Sequence, residues 1–167
     1  IHCANSILGT VCQMNFYGGS DQIRPTWMVT CLPPALVAVV VSMVMLPLSS
    51  NKLLIMDPFV DPEDVDLEMM RYRPNCWPLI PMFIEIVMRN GRIPDHLLAA
   101  GAGCEAVNNN QLDRVQNFLE EHNCHVRFTV GYGSSEGGSN LTFQMAPKSI
   151  HNGNVGIPMP LTDMSVF

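Results

Sequence analysis

Short apolar runs alternate along the chain with segments whose apolar residues recur every three or four positions. The apolar runs at residues 27–32, 53–56, 76–80, 97–100 and 125–130 predict strands. Helices are predicted at residues 1–16, 35–45, 62–72 and 81–89, and after a cap at residues 108–110. This alternation is typical of an α/β fold, and we expect a largely parallel sheet flanked by helices.

Local signals at the predicted helix ends support this pattern. Asp61 precedes Pro62 and is suited to cap a helix that begins there, whereas Gly91 is suited to end the helix of residues 81–89. Residues 35–45 predict a buried helix, although their run of valines leaves a strand open on propensity. The apolar stretch of residues 35–48 is shorter than the roughly 20 residues needed to span a bilayer. No membrane span is therefore expected.

The segment from Val130 to Gly138 has the richest chemistry in the chain. It reads Val-Gly-Tyr-Gly-Ser-Ser-Glu-Gly-Gly and follows a predicted strand. The Tyr132 ring can stack on a base, the Ser135 hydroxyl can bond a phosphate, and the Glu136 carboxylate suits a hard cation. Ligands gather at the carboxyl ends of strands in open α/β sheets. An ordinary glycine-rich hairpin turn remains the alternative on composition alone.

Two further glycine segments accompany this one, at residues 101–103 and 153–160. In this order, the three segments resemble the adenylate-forming family of acyl-CoA synthetases, luciferases and peptide-synthetase adenylation domains. The family's central motif Tyr-Gly-x-Thr-Glu stands here as Tyr-Gly-Ser-Ser-Glu at residues 132–136, with serine keeping the hydroxyl. Residues 57–63, 71–75 and 80–81 are similar to further family segments in the same order. The resemblance implies that residues 1–167 are a partial AMP-binding domain, truncated at both ends, from the large amino-terminal domain.

The resemblance also implies roles for the motif residues. Tyr132 would stack on adenine. Ser135 would bond the α-phosphate, and Glu136 would hold Mg²⁺, which makes these two the catalytic candidates. Gly133 and Ser135 count among the ATP-binding residues. Gly131, Gly133 and Gly137 would border the acyl substrate.

The earlier glycine segment has a role of the same kind. Gly101, Ala102 and Gly103 stand where the family usually has Gly-Gly-Ala, and they would line the adenine and acyl pockets. The altered order places a methyl group where the family has a hydrogen atom, so we expect this wall of the pocket to differ in shape.

The implied reaction joins a carboxylic acid to ATP, giving an acyl-adenylate and pyrophosphate, and then forms a thioester with CoA. The family's phosphate-binding loop, ribose-binding aspartate and carboxy-terminal catalytic lysine have no counterpart in residues 1–167. We therefore expect the chain to need the rest of its domain and a carboxy-terminal domain, and not to turn over alone. The alternatives are a non-catalytic nucleotide-binding relative and an α/β interaction domain.

The amino-acid composition limits the classes of molecule that this protein is expected to bind. The formal charge is −6, and the Lys and Arg residues are scattered along the chain. We therefore expect no nucleic-acid binding, which requires a positively charged surface. The six widely spaced cysteines predict reduced thiols in a cytoplasmic protein. Residues 32–38 are aliphatic where the family often has an aromatic residue or histidine, which favours an apolar acyl or aryl acid as substrate.

Overall fold

A computed structural model describes residues 8, 26–30, 32–33, 35–49, 51–144 and 154–165. Apart from Leu8, the predicted helix at residues 1–16 lies outside the described residues, and so does the start of the third glycine segment at Gly153.

The described strands form one sheet of mixed direction in the order β2-β1-β3-β4-β5-β6-β7. Their bounds are β1 Thr26–Thr30, β2 Leu53–Asp57, β3 Cys76–Leu79, β4 Ala99–Ala102, β5 Phe128–Ser134, β6 Ser139–Phe143 and β7 Ile157–Pro158. Strands β1 to β5 pair in parallel, whereas β5, β6 and β7 pair antiparallel. The predicted fold class, a largely parallel sheet flanked by helices, is confirmed.

Helices connect the parallel strands. They are α1 Leu46–Ser49, α2 Val65–Tyr72, α3 Pro81–Asn90 and α4 Asn109–Glu121, with a 3₁₀ turn at Pro62–Asp64. Asn108 caps α4 in a reciprocal arrangement with Gln111, and Gly91 ends α3 with a φ of 71°. The Asp61 carboxylate accepts a hydrogen bond of 3.0 Å from the Glu63 N–H. The end signals read from the sequence therefore act as predicted at these three helix ends.

The predicted helix of residues 35–45 differs from expectation in its winding and its extent. Val39–Met45 is a π-helix, and the chain remains helical beyond residue 45, through Pro47 to Ser49. In an α-helix the Pro47 ring would clash with the carbonyl group of Met43. A wider turn relieves this conflict, and the Leu46 N–H accordingly bonds to the Val41 carbonyl oxygen, five residues back.

This helical segment is also buried on one side only. Val39, Val41 and Met43 are buried, whereas Val40 and Met45 are 40% and 42% exposed. The expectation of a buried helix therefore holds for one face of the segment.

The core lies between the sheet and α2, α3 and α4. It is built from helix residues that include Val65, Met69, Phe83, Ile84, Val87, Val115 and Leu119, and from strand residues that include Met28, Trp77, Leu79, Ala100, Phe128 and Val130. Removal of these apolar side chains from water holds the helices against the strands. No helix within the described residues is long and apolar enough to cross a membrane.

Candidate functional site

The carboxyl end of β4 lies beside the middle of β5, which continues for four residues beyond it. Ala102 pairs with Val130, and a Cβ atom built on the next residue, Gly103, would lie 3.8 Å from the carbonyl oxygen of Gly131. The first two glycine segments are thus neighbours at one edge of the sheet. The structure therefore places Gly103 beside Gly131, where the parallel part of the sheet ends and where such sheets bind ligands.

The boundaries of both segments differ from the prediction. Gly101 and Ala102 lie inside β4, and residues 131–134 lie inside β5, so these positions are not loop residues. The cause is close packing of backbones. A Cβ atom at Gly133 would lie 2.1 Å from the Ser139 carbonyl oxygen, and one at Gly101 would lie 2.8 Å from the Thr129 carbonyl oxygen. Glycine here permits close strand contact, which is a non-local requirement that a local pattern does not reveal.

The small residues of β4 point alternately to the two faces of the sheet. Ala100 and Ala102 are 4% and 8% exposed and belong to the core cluster, whereas Gly101 is half-buried. Successive residues of a strand point to opposite faces, so Gly101 shares the face of β4 away from these two methyl groups. The Ala102 methyl group, which was expected to alter a pocket wall, packs in the core.

The turn proper is shorter than the motif. Ser135–Gly138 closes with a hydrogen bond of 3.3 Å from the Gly138 N–H to the Ser135 carbonyl oxygen. The Ser134 hydroxyl accepts a second hydrogen bond, 3.0 Å long, from the Gly137 N–H. Gly138 has a φ of 86°, which favours glycine. These contacts define the conformation in which Ser135 and Glu136 are presented.

The chemically active groups of the motif are open to solvent. Tyr132 is 46% exposed, and Ser135 and Glu136 are exposed on the turn. Glu136 forms no ion pair with any residue that the structure describes. A ring, a hydroxyl and a carboxylate are therefore all accessible within five residues of the chain. A nucleotide with its cation needs such groups.

Two buried polar residues, Thr142 in β6 and Gln144 directly after this strand, connect β5 to the third glycine segment. The Thr142 hydroxyl accepts from the Tyr132 N–H at 3.2 Å and donates to the Val155 carbonyl oxygen at 2.8 Å. The Gln144 amide oxygen accepts from the Val130 N–H at 2.9 Å, and its amide nitrogen donates to the Asn154 carbonyl oxygen. Neither residue was identified from the sequence. Their alternation with Leu141 and Phe143 was the available signal for a strand with one polar face, but it does not show that this face is buried.

The start of β6 is tied to the π-helix. The hydroxyl oxygens of Ser42 and Ser139 lie 2.6 Å apart, and both residues are buried. Ser139 directly follows the turn and has a φ of 109°, a backbone conformation that residues other than glycine rarely adopt. The far end of the turn is thus held in an unfavourable backbone geometry by its surroundings.

The third glycine segment adds an edge to this region. β7 pairs with β6 through Ile157 and Phe143, and the Met159 N–H donates to the Leu141 carbonyl oxygen at 2.8 Å. A Cβ atom at Gly156, whose φ is 95°, would lie 2.0 Å from the Phe143 carbonyl oxygen. The described part of this segment therefore lies directly beside β6.

Cys124 follows α4 and belongs to the core cluster. Cys124 is fully buried, and burial raises the pKa of its thiol above the usual range. Within the described residues, no group of three or more His, Cys, Asp or Glu side chains is placed to hold a metal ion. Cys76, Cys104 and Cys124 are free thiols.

Comparison with known proteins identifies the family. The sequence profile of the family described as AMP-binding enzyme matches residues 2–167, which is nearly the whole chain. This chain belongs to the AMP-binding enzyme family. The resemblance read from residues 132–136 and their flanking segments is therefore confirmed.

Solved structures agree with this AMP-binding fold. A long-chain-fatty-acid-CoA ligase from Archaeoglobus fulgidus superposes with a TM-score of 0.72 at 14% identity, covering 93% of this chain and 32% of that one. O-succinylbenzoate coenzyme A synthetase from Bacillus subtilis, in complex with ATP and a magnesium ion, gives 0.72 at 12% identity, covering 93% and 31%. The adenylation domain of a keto acid-selecting NRPS module, bound to a keto acyl adenylate, gives 0.66 at 16% identity, covering 83% and 27%.

The AMP-binding chain thus spans about a third of the length of these structures. At such identities the likeness shows the fold alone. No curated protein sequence matches this chain.

Proposed function

We propose that this chain is the nucleotide-binding part of an ATP-dependent acyl-CoA synthetase. The observation that carries the proposal is the neighbouring placement of the two glycine segments, with Tyr132, Ser135 and Glu136 exposed on the part of the chain that extends β5 beyond the end of β4. Tyr132 stacks on adenine, Ser135 bonds the α-phosphate, and Glu136 binds Mg²⁺. Membership of the AMP-binding family supports ATP as the nucleotide.

The nucleotide lies along the carboxyl end of β4 and the part of β5 that extends beyond it. Gly101, Gly103 and Gly133 let the backbone approach it closely, while Gly131 and Gly137 border the acyl group. Of these five positions, Gly103 has room for a ligand, because a Cβ atom there would meet only an ordinary contact of 3.8 Å. A Cβ atom at any of the other four would clash with a neighbouring strand or the hairpin, so these glycines serve the close packing of the strands that carry the site. Ala102 contributes through its backbone, since its methyl group packs in the core.

The reaction is attack of a carboxylate oxygen on the α-phosphorus of ATP, with pyrophosphate as leaving group. The acyl-adenylate then reacts with the thiol of CoA to give a thioester and AMP. Positioning and charge stabilisation provide most of the catalysis in such steps. CoA as acceptor is favoured because two of the compared structures are named as CoA ligases. The free thiols of the described cysteines are in keeping with a cytoplasmic enzyme.

The acid is an apolar acyl or aryl acid, because the described residues at positions 32–38 are aliphatic. The reaction also requires groups for the phosphates and the ribose that residues 1–167 do not contain. We therefore propose that residues 1–167 act as a partial AMP-binding domain, truncated at both ends, within a longer chain that includes a carboxy-terminal domain.

The decisive experiment uses full-length protein with ATP, Mg²⁺, hydroxylamine and a broad panel of carboxylic acids. Hydroxamate formation from at least one acid is expected, and Glu136→Gln should lower it by about 100-fold or more, because the variant loses a metal ligand. Glu121→Gln is the matched control, because Glu121 is an exposed carboxylate on α4 away from the turn.

Two outcomes would replace the proposal. ATP binding without hydroxamate from any acid indicates a non-catalytic nucleotide-binding relative. Unchanged ATP affinity in Tyr132→Ala and Glu136→Gln indicates that the site does not bind nucleotide and favours an interaction domain.

A further inference from the structure

Strand β5 changes partners part-way along its length. Its first half pairs in parallel with β4, through Phe128 to Val130, and its second half pairs antiparallel with β6. The register shifts between Tyr132 and Gly133, within this second half. A register shift loosens the geometric control that a regular ladder exerts on the side chains next to it. The position of the Tyr132 ring therefore depends on contacts beyond the regular ladder.

Thr142 supplies such a contact. It is opposite Tyr132 in the register and is 3% exposed. Its hydroxyl accepts from the Tyr132 N–H at 3.2 Å and donates its own proton to the Val155 carbonyl oxygen at 2.8 Å. One buried hydroxyl thus joins the backbone of the candidate adenine-stacking residue to the third glycine segment.

Gln144 repeats the arrangement two residues later, directly after the end of β6. It is also 3% exposed, accepts from the Val130 N–H at 2.9 Å and donates to the Asn154 carbonyl oxygen. Buried polar side chains are costly unless their hydrogen bonds are made, so two such bridges in parallel fix the spacing of three chain segments.

The third glycine segment has one fewer backbone donor for pairing with β6, because it contains Pro158. Pro158 is opposite Thr142 in the pairing of β6 with β7, and proline has no N–H to donate to a neighbouring strand. Side-chain bonds to the carbonyl oxygens of Asn154 and Val155 attach the same segment four and three residues earlier.

We propose that Thr142 and Gln144 are positioning residues that set the Tyr132 backbone relative to residues 154–158 and thereby orient the Tyr132 ring for its nucleotide. The kinetic part of this inference rests on the proposed function, whereas the structural part does not.

The test compares Thr142→Val with Thr142→Ser in the full-length protein. Valine keeps the shape and removes the hydroxyl, whereas serine keeps the hydroxyl. Loss of one bridging hydroxyl should raise KM for ATP by roughly three- to tenfold, with a smaller change in kcat and in KM for the acid. Thr142→Ser should remain close to the wild type.

Thr129→Val is the matched control. The Thr129 hydroxyl also donates to a backbone carbonyl oxygen, that of Ala100, at 3.3 Å. Thr129 is half-buried and lies on β5, the strand that carries Tyr132. This variant loses a comparable hydrogen bond without touching Tyr132, so its KM for ATP should not change. Equal effects of Thr142→Val and Thr129→Val on KM, or no rescue by serine, would overturn the proposal.

A second readout does not depend on catalysis. Amide hydrogen exchange of the Tyr132 N–H should be faster in Thr142→Val and unchanged in Thr142→Ser and Thr129→Val. An unchanged rate in Thr142→Val refutes the positioning role. If the wild type forms no hydroxamate from any acid, the proposed function fails, but this exchange experiment still decides the role of Thr142.

Discussion

Ser42 and Ser139 are 97 residues apart in the sequence, yet their hydroxyl oxygens lie 2.6 Å apart in the folded chain. The bond joins the π-helix to the residue that follows the Ser135–Gly138 turn. It therefore connects the helical segment that follows residues 32–38 with the candidate catalytic turn.

Replacing Ser42 with Ala should destabilise the protein by about 1–2 kcal/mol, because the buried Ser139 hydroxyl loses its partner. Ser42→Ala combined with Ser139→Gly should recover part of this loss, since both partners are then gone and glycine accepts the φ of 109° without strain. Urea unfolding of the two variants measures the difference. A double variant that is less stable than Ser42→Ala would contradict the expectation. Ser49→Ala is the control, since Ser49 is exposed and bonds only locally, to the Leu46 carbonyl oxygen.

The site glycines should differ sharply in their tolerance of a methyl group. Gly133→Ala places a Cβ atom 2.1 Å from a backbone oxygen and should cost about 2–3 kcal/mol. Gly103→Ala finds only an ordinary contact of 3.8 Å and should change stability by less than about 0.5 kcal/mol. Thermal midpoints of the two variants give the comparison. Equal shifts of the thermal midpoint in the two variants would show that the close backbone contact does not require glycine at position 133.

A buried carboxylate at Asp66 should make Arg92 important for stability. Asp66 has no exposed surface and accepts from Arg92 Nε at 2.5 Å and from Asn90 Nδ2 at 3.1 Å. Arg92→Ala leaves this carboxylate without its cation and should cost about 2–4 kcal/mol, somewhat less than for a fully buried pair because Arg92 is itself half-exposed.

Arg114→Ala serves as the control for this pair. Arg114 lies 2.9 Å from Glu85 and both side chains are exposed, so its loss should cost no more than about 1 kcal/mol. Denaturant unfolding distinguishes the two variants, and similar values would contradict the importance of the buried carboxylate.

Cys76 should make stability depend on pH in the alkaline range. Burial raises the pKa of its thiol from 9.0 to about 11, an effect that Lys52 partly opposes. The folded state therefore favours the protonated thiol, and this stabilisation is complete below pH 9.0 and lost as the pH rises toward 11. The contribution to the free energy of unfolding should fall by about 1 kcal/mol between about pH 8 and about pH 10.

The measurement compares the slope of stability against pH in the wild type and in Cys76→Ala. Other groups titrate in the same range, so only the difference between the two slopes belongs to Cys76. Identical slopes would refute the contribution of this thiol.

The features that the sequence predicted best depend on local interactions. The cap at Asn108 forms with Gln111 only three residues away, and the end of α3 at Gly91 needs only a residue that accepts a φ of 71°. Such signals are visible in a short window of sequence. The order of strands and helices followed from the same kind of evidence.

The features that the sequence missed depend on distant neighbours. β5 was predicted at residues 125–130 and occupies Phe128–Ser134, because Gly131 and Gly133 sit in a strand whose partners approach closely. The π-helix and the whole of β6 were not predicted. Thr142 and Gln144 could not be distinguished from surface residues, since their burial follows from segments that pack on them only after folding.

The two pairings of β5 also differ in how far along the chain their partners lie. Ser134 pairs with Ser139 across 5 residues, whereas Phe128 pairs with Ala100 across 28 residues, with α4 between them. Closing the shorter loop costs less entropy, so the hairpin that carries Ser135 and Glu136 should form before the strand joins the parallel sheet. Pulse-labelled amide exchange should then protect the Tyr132–Ser134 end of β5 earlier than its Phe128 end. In a newly synthesised chain, the candidate catalytic turn would thus form before the parallel strands beside it have assembled.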